Sequence, residues 1–250
     1  MCSVIILYRP DHDWPLIIGS NRDEKEDRPW QAPARHWEDH PRVVAGLDEL
    51  AGGTWLGLND DGVVAGLLNR INTLGPKEGF RSRGELPLEA LDHAEADTAV
   101  EALTHLETNS YRSFNMVIAD RNKAFWLCSM PGNLKAHAIE PGVSMITALD
   151  LNDPESPRTQ MYLSQFRAAD TPNPETGDWA AWGNLLASKH YDPEFGPGGA
   201  MNVDHGNGFG TVSSSLIALP ASAKFETQPK WLVAKGRPGD MPYEPVDLSS

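Results

Sequence analysis

Cysteine is scarce: Cys2 and Cys128 are the two in 250 residues, and neither belongs to a CxxC pair or a CxxCH motif. That rules out a disulfide framework, a zinc ribbon and covalent haem attachment. Long apolar runs are also missing. The longest, at residues 4–7 and 63–68, fall far short of the roughly 20 residues of a spanning helix, so no membrane span is expected. Positive charge is in short supply as well. With 21 Lys and Arg against 35 Asp and Glu, the formal net charge is -14, which repels nucleic acid and anionic lipid. The apolar start is short and is followed at once by Arg9, Asp11 and Asp13, unlike a secretory signal, so a cytoplasmic location is expected. Among the histidines, His36 and His40 alone stand at metal-ligand spacing. The Trp37-Glu38-Asp39 between them reads as a surface turn, and no metal site is expected.

Hydrophobic residues at 40% and charged residues at 22% match ordinary globular usage, and no Pro/Gly/Ser-rich linker divides the chain. Residues 1–250 therefore read as one domain with a large core. Residues 4–8 and 16–20 are β-rich and flank the turn Pro10-Asp11-His12-Asp13, so a hairpin starts almost at residue 1. Residues 43–44, 54–58 and 63–68 continue the β pattern, with the turn Asn59-Asp60-Asp61-Gly62 between the last two. Helical spacing takes over from 84 to 107, through Leu86, Leu88, Leu91, Val100, Leu103 and Leu106. A second sheet is expected from 114–119, 124–128 and 143–148, then amphipathic helices at 157–169 and 179–190, and final strands at 211–219 and 231–234. This is an α+β order in which two antiparallel sheets stack beneath outer helices.

Four stretches carry more than fold information: Met1-Cys2 at the head of a strand, Ser20-Asn21-Arg22-Asp23-Glu24, Gly52-Gly53-Thr54-Trp55-Leu56-Gly57, and Ala65-Gly66-Leu67-Leu68-Asn69-Arg70. Together with Arg81-Ser82-Arg83-Gly84 and Gly210-Thr211-Val212-Ser213-Ser214-Ser215, they resemble the NRDE family, also called transport and Golgi organisation 2-like. More distantly, the pattern is similar to N-terminal-nucleophile (Ntn) hydrolases of the choloylglycine hydrolase and penicillin V acylase type. The resemblance implies a four-layer αββα sandwich with Cys2 opening the first strand. It also implies a cysteine amidohydrolase in which removal of Met1 frees an α-amine. A thiol with pKa about 8.5 and an α-amine near 7.7–8.0 can share a proton around neutrality, so one residue supplies nucleophile and base.

By the same resemblance Arg22 steadies a thiolate or a substrate carboxylate, Asp23 binds the α-ammonium, and Asn69 donates to the oxyanion. These residues are expected to line one cleft with Cys2. Asn21, Glu24, Trp55, Arg70, Arg81 and Arg83 are the candidate ligand contacts. His205, set among glycines, is the candidate ligand-facing imidazole. The competing readings are plain ones: Cys2 as a small strand residue, residues 21–24 as a solvated turn, Asn69 as a turn-former, and Gly52-Gly53 as an ordinary tight loop. The sequence also departs from the hydrolase pattern. Thr147-Ala148 stands where a serine-asparagine step is expected, with Asp150 and Asn152 displaced candidates, and Val212 replaces an arginine. The alternative implied by the family is a non-catalytic carrier on the same scaffold, connected with haem trafficking or acyl-lipid homeostasis. Haem would then be cargo and no cofactor would be required. Either function involves a small-molecule partner with an apolar body and an anionic end.

Overall fold

A computed structural model describes residues 2–224 and 227–249. Its backbone gathers into two compact units: residues 1–28 with 141–246, and residues 29–140 with 247–250. The chain opens in the first unit with the expected hairpin, β1 (Ser3–Tyr8) and β2 (Leu16–Lys25). β2 runs on through Asn21-Arg22-Asp23-Glu24, so these residues are strand rather than turn, and the first three are buried.

In the second unit the strands are β3 (Trp30–Ala34), β4 (Val43–Asp48), β5 (Leu56–Asn59) and β6 (Val64–Asn69). After helices α1 (Leu86–Leu91) and α2 (Ala96–Thr104) come β7 (Phe114–Ala119), β8 (Ala124–Met130) and β9 (Asn133–Ala138). Among the described residues these form one antiparallel sheet in chain order, β3 to β9. Here the expectation of a new sheet from residue 114 fails: β7 pairs with β6 along its whole length, Val64 opposite Ala119 to Asn69 opposite Phe114. The reason lies in the helices. Leu86, Leu91, Val100 and Leu103 pack back on Ala65, Met116 and Ile118 of the same sheet, so the chain re-emerges beside the strand it left. The Asn59 turn ties this packing together. Its side-chain oxygen accepts from the Asp61 and Val63 amides, and its Nδ2 donates to the Leu91 and His93 carbonyls at the end of α1.

The chain returns to the first unit with β10 (Gly142–Ile146), α3 (Pro157–Ala168), α4 (Ala180–Leu186), β11 (Phe209–Leu219), β12 (Lys230–Ala234) and β13 (Tyr243–Pro245). The sheet order is β10-β1-β2-β11-β12-β13, antiparallel throughout. α3 starts where Ser156 caps it, accepting from the Thr159 amide, with Pro157 in the first turn. One face of this sheet, through Ile5, Leu7, Ile17, Leu216 and Ala218, packs on Tyr162, Phe166, Trp182 and Leu186 of the two helices. At about 25 cal/mol per Å² of apolar surface, such aromatic and aliphatic burial is the main stabilising term. Among the described residues no helix is long and apolar enough to cross a membrane.

Candidate active site

In the first unit Cys2 immediately precedes β1, one residue short of the strand start expected for it. The register then fixes its surroundings. Ser3 lies opposite Asn21, and on the other side of β2 Thr211 lies opposite Asp23 and Ser213 opposite Arg22. Val212 is therefore the extra residue of a β-bulge, whose local bend re-aims its neighbours. The Cys2 thiol, half-buried, donates to the Asp23 carbonyl at 3.7 Å. Burial pushes the thiol up from its ordinary pKa and the Asp23 charge adds to this, while the buried Arg22 guanidinium opposes it. The resting group is a thiol, and a base must take its proton before it attacks.

Asp23 is buried and holds the densest polar contacts. Arg158, from the first turn of α3, donates to its Oδ2 at 2.6 Å, and the Thr211 hydroxyl donates to Oδ1 at 2.7 Å. Burial alone would raise this carboxyl; the Arg158 charge and these two hydrogen bonds hold it below the usual carboxylate range. Arg158 is a partner that the sequence reading missed. An arginine in the first turn of an amphipathic helix normally faces solvent, and no local pattern announces that this one is buried.

The neighbouring candidates are used differently. Asn21 sends Nδ2 to the Leu186 and Met201 carbonyls, both at 2.9 Å, and so ties β2 to the end of α4; its Oδ1 has no partner among the described residues. Glu24 lies 3.9 Å from Arg28 and accepts from the Lys25 amide. His205 is exposed, its ring tilted against Phe209 at 5.8 Å. Of the displaced candidates, Asn152 is engaged in its own turn. It accepts from the Met145 amide and donates to Ser144 Oγ.

In the second unit Asn69 ends β6, half-buried, and its side-chain amide makes no hydrogen bond with the described residues. Beside it Arg70 Nη1 donates to Asn115 Oδ1 at 2.7 Å and reaches Cys128 Sγ at 3.1 Å; Trp126 shares the same Asn115 oxygen. Arg83 holds the loop after β6, donating to Thr73 Oγ1, the Thr73 carbonyl and the Ser113 carbonyl. Arg81 is exposed, pairs with Glu85 at 2.8 Å and lies over the Tyr111 ring. Trp55 is half-buried, edge-on to Trp30 at 5.7 Å. Gly53 serves a close approach, though to backbone and not to a ligand. A Cβ there would stand 2.4 Å from the Gly84 carbonyl carbon and oxygen, and that carbonyl accepts from the Thr54 amide at 2.8 Å. The two motifs at 52–57 and 81–84 thus lock to each other. The structure brings Cys2, Arg22 and Asp23 together in one unit, and Asn69, Arg70 and Arg83 in the other. Among the described residues no group of three or more His, Cys, Asp or Glu could hold a metal ion.

Comparison with solved structures extends the fold assignment. An N-acylethanolamine-hydrolyzing acid amidase ortholog from Caenorhabditis elegans aligns with a TM-score of 0.57 at 15% identity, covering 91% of this chain and 98% of that one. A conjugated bile acid hydrolase from Clostridium perfringens, solved as its C2A mutant, gives 0.55 at 12% identity, covering 99% and 92%. Penicillin V acylase from Agrobacterium tumefaciens gives 0.50 at 13%, covering 98% of each. At such identities the likeness is one of fold alone: an Ntn-hydrolase α+β architecture. In sequence, the chain is 32% identical over 136 residues to the human transport and Golgi organization protein 2 homolog, covering 50% of this chain and 47% of that one. The bovine homolog is 32% identical over 127 residues, covering 48% and 45%. The chain matches about half the length of these curated relatives. The family model described as Transport and Golgi organisation 2 spans residues 1–226, and the chain belongs to that family.

Proposed function

We propose that this protein is an N-terminal-cysteine amidohydrolase acting on a small amide that carries an anionic group. The observation that supports it most is the thiol of Cys2 at the head of β1, hydrogen-bonded to the strand that carries a buried Arg22 and a buried, ion-paired Asp23. In this reading removal of Met1 frees the Cys2 α-amine. The amine takes the thiol proton, sulfur attacks the amide carbonyl, and the carbonyl π electrons move to oxygen. Collapse of this oxyanion breaks the C–N bond as the ammonium proton passes to the leaving amine, giving a thioester. Water, deprotonated by the same amine, then releases the acid and regenerates the thiol. Asp23 favours the ammonium form of the base and Arg22 the thiolate. An amide donor to the developing oxyanion, as the resemblance implies, is worth about 2.7–4 kcal/mol of barrier.

The rival reading, implied by the family resemblance, is a carrier of haem or an acyl lipid on the same scaffold. The deciding experiment incubates the protein, with its N-terminus verified by intact mass, with N-acylethanolamine, a conjugated bile acid and penicillin V. Amide cleavage that disappears in Cys2→Ala supports the hydrolase. No cleavage in either protein, together with a saturable Soret shift on haem titration that weakens in Cys2→Ala or His205→Ala, supports the carrier.

A further inference from the structure

We propose that Arg158 is a positioning residue for the Cys2 site, holding the Asp23 carboxylate from helix α3 as a fixed anion beside the thiol. The purpose of this anion rests on the hydrolase reading, but the arrangement itself does not. Arg158 is 4% exposed and Asp23 1%, so neither charge has solvent as an alternative partner. The direction of each hydrogen bond then identifies the ionisation state. The Thr211 hydroxyl accepts from the Val203 amide at 2.8 Å, which leaves its one proton to donate, and Asp23 Oδ1 at 2.7 Å is nearer than the Met201 carbonyl at 3.4 Å. Arg158 Nη2, which can only donate, sits 2.6 Å from Oδ2. Both carboxyl oxygens face a donor, the arrangement that favours the ionised form of Asp23.

Arg158 is itself fixed by a second bond, Nε to the Gly198 carbonyl at 3.1 Å, so its planar fork has one orientation. Against Asp23 the structure places Arg158 from α3, the Cys2 thiol ahead of β1 and the Thr211 hydroxyl from β11, with Arg22 and Glu24 its neighbours along β2. An anion so placed disfavours the thiolate until a proton acceptor next to Cys2 becomes positively charged. Arg158 acts on Cys2 only through Asp23.

Peptide-resolved alkylation tests this without any substrate. The pH profile of iodoacetamide capture at Cys2 is measured by mass spectrometry, Cys128 being scored separately. Asp23→Asn removes the anion and shifts the Cys2 profile toward lower pH by about one unit, roughly tenfold faster capture at a given pH on the rising limb. In Arg158→Gln the unpaired Asp23 takes up a proton and the profile moves the same way, while Arg158→Lys restores the wild-type position. An Arg158→Gln profile that overlays the wild type, or moves toward higher pH, overturns the proposal. Should Arg158→Gln not fold, the Asp23→Asn/Arg158→Gln double variant decides, since it leaves no unpaired buried charge. Its profile should match that of Asp23→Asn, and a further shift would mean that Arg158 acts other than through Asp23. Because turnover does not enter the readout, failure of the hydrolase reading leaves this result intact.

Discussion

The two compact units put their arginines to different uses. In the first, Arg22 and Arg158 are buried, and Arg158 neutralises a carboxylate shielded from bulk solvent. In the second, Arg83 and Arg112 clamp a loop by donating to its backbone: Arg83 to the Thr73 carbonyl and Arg112 to the Asn72, Leu74 and Gly75 carbonyls. The same side chain thus serves as a charge where the dielectric is low and as a five-donor fork where loop carbonyls lack partners. Arginine content alone does not mark a ligand site, and Arg83 in particular has loop contacts that account for its place in the motif.

The largest effect should follow removal of the buried charge. Arg158→Met leaves Asp23 buried without its ion pair, so the fold bears the cost of protonating or desolvating that carboxyl, and urea unfolding at neutral pH should show a loss of about 3–5 kcal/mol. A loss below 1 kcal/mol would mean that the pair is not a central support of its unit. The same pair governs the acid response. Because the folded-state pKa of Asp23 lies below its unfolded value, its stabilisation is fully present above about pH 4 and is lost as pH falls through the folded pKa. Asp23→Asn should therefore flatten the acid side of the stability curve, even though it lowers stability at neutral pH; an unchanged acid limb contradicts the assignment. The clamp in the second unit should matter less. Arg83→Ala should cost about 1.5–3 kcal/mol and raise amide hydrogen exchange across residues 70–82, with exchange near Cys2 unchanged. Arg81→Ala should cost least, about 0.5 kcal/mol or less, since its pair with Glu85 is largely exposed. If Arg81 proves costlier than Arg83, the contrast between clamp and surface arginine collapses.

Much of this was legible in the sequence. Turn residues announced the hairpins at 10–13 and 59–62, and apolar spacing announced the helical stretch that holds α1 and α2 and the helices α3 and α4. The strands that escaped, β3, β9 and β13, are edge strands of their sheets. β9 is almost wholly exposed, and its alternation rests on Leu134 and two alanines, Ala136 and Ala138, too weak an apolar signal to mark a strand; β3 and β13 each contain a proline, which argues against a strand unless it lies at an edge. Which sheet β7 joins was not legible either, because pairing depends on where α1 and α2 return the chain. Cys2, Arg22 and Asp23 were singled out by their motif, but the burial of Arg22 and Asp23 was not legible. Arg158 could not be found at all: its partner lies 135 residues away in sequence, and the contact exists only after α3 packs on the sheet.

The most direct test of the central claim is intact-mass analysis of the protein quenched in acid during reaction with an amide substrate, followed by peptide mapping. The account predicts a chain lacking Met1 and carrying the acyl group of the substrate as a thioester on Cys2, an adduct absent from Cys2→Ala. A chain that retains Met1 and carries no acyl adduct with N-acylethanolamine, conjugated bile acid or penicillin V would contradict it.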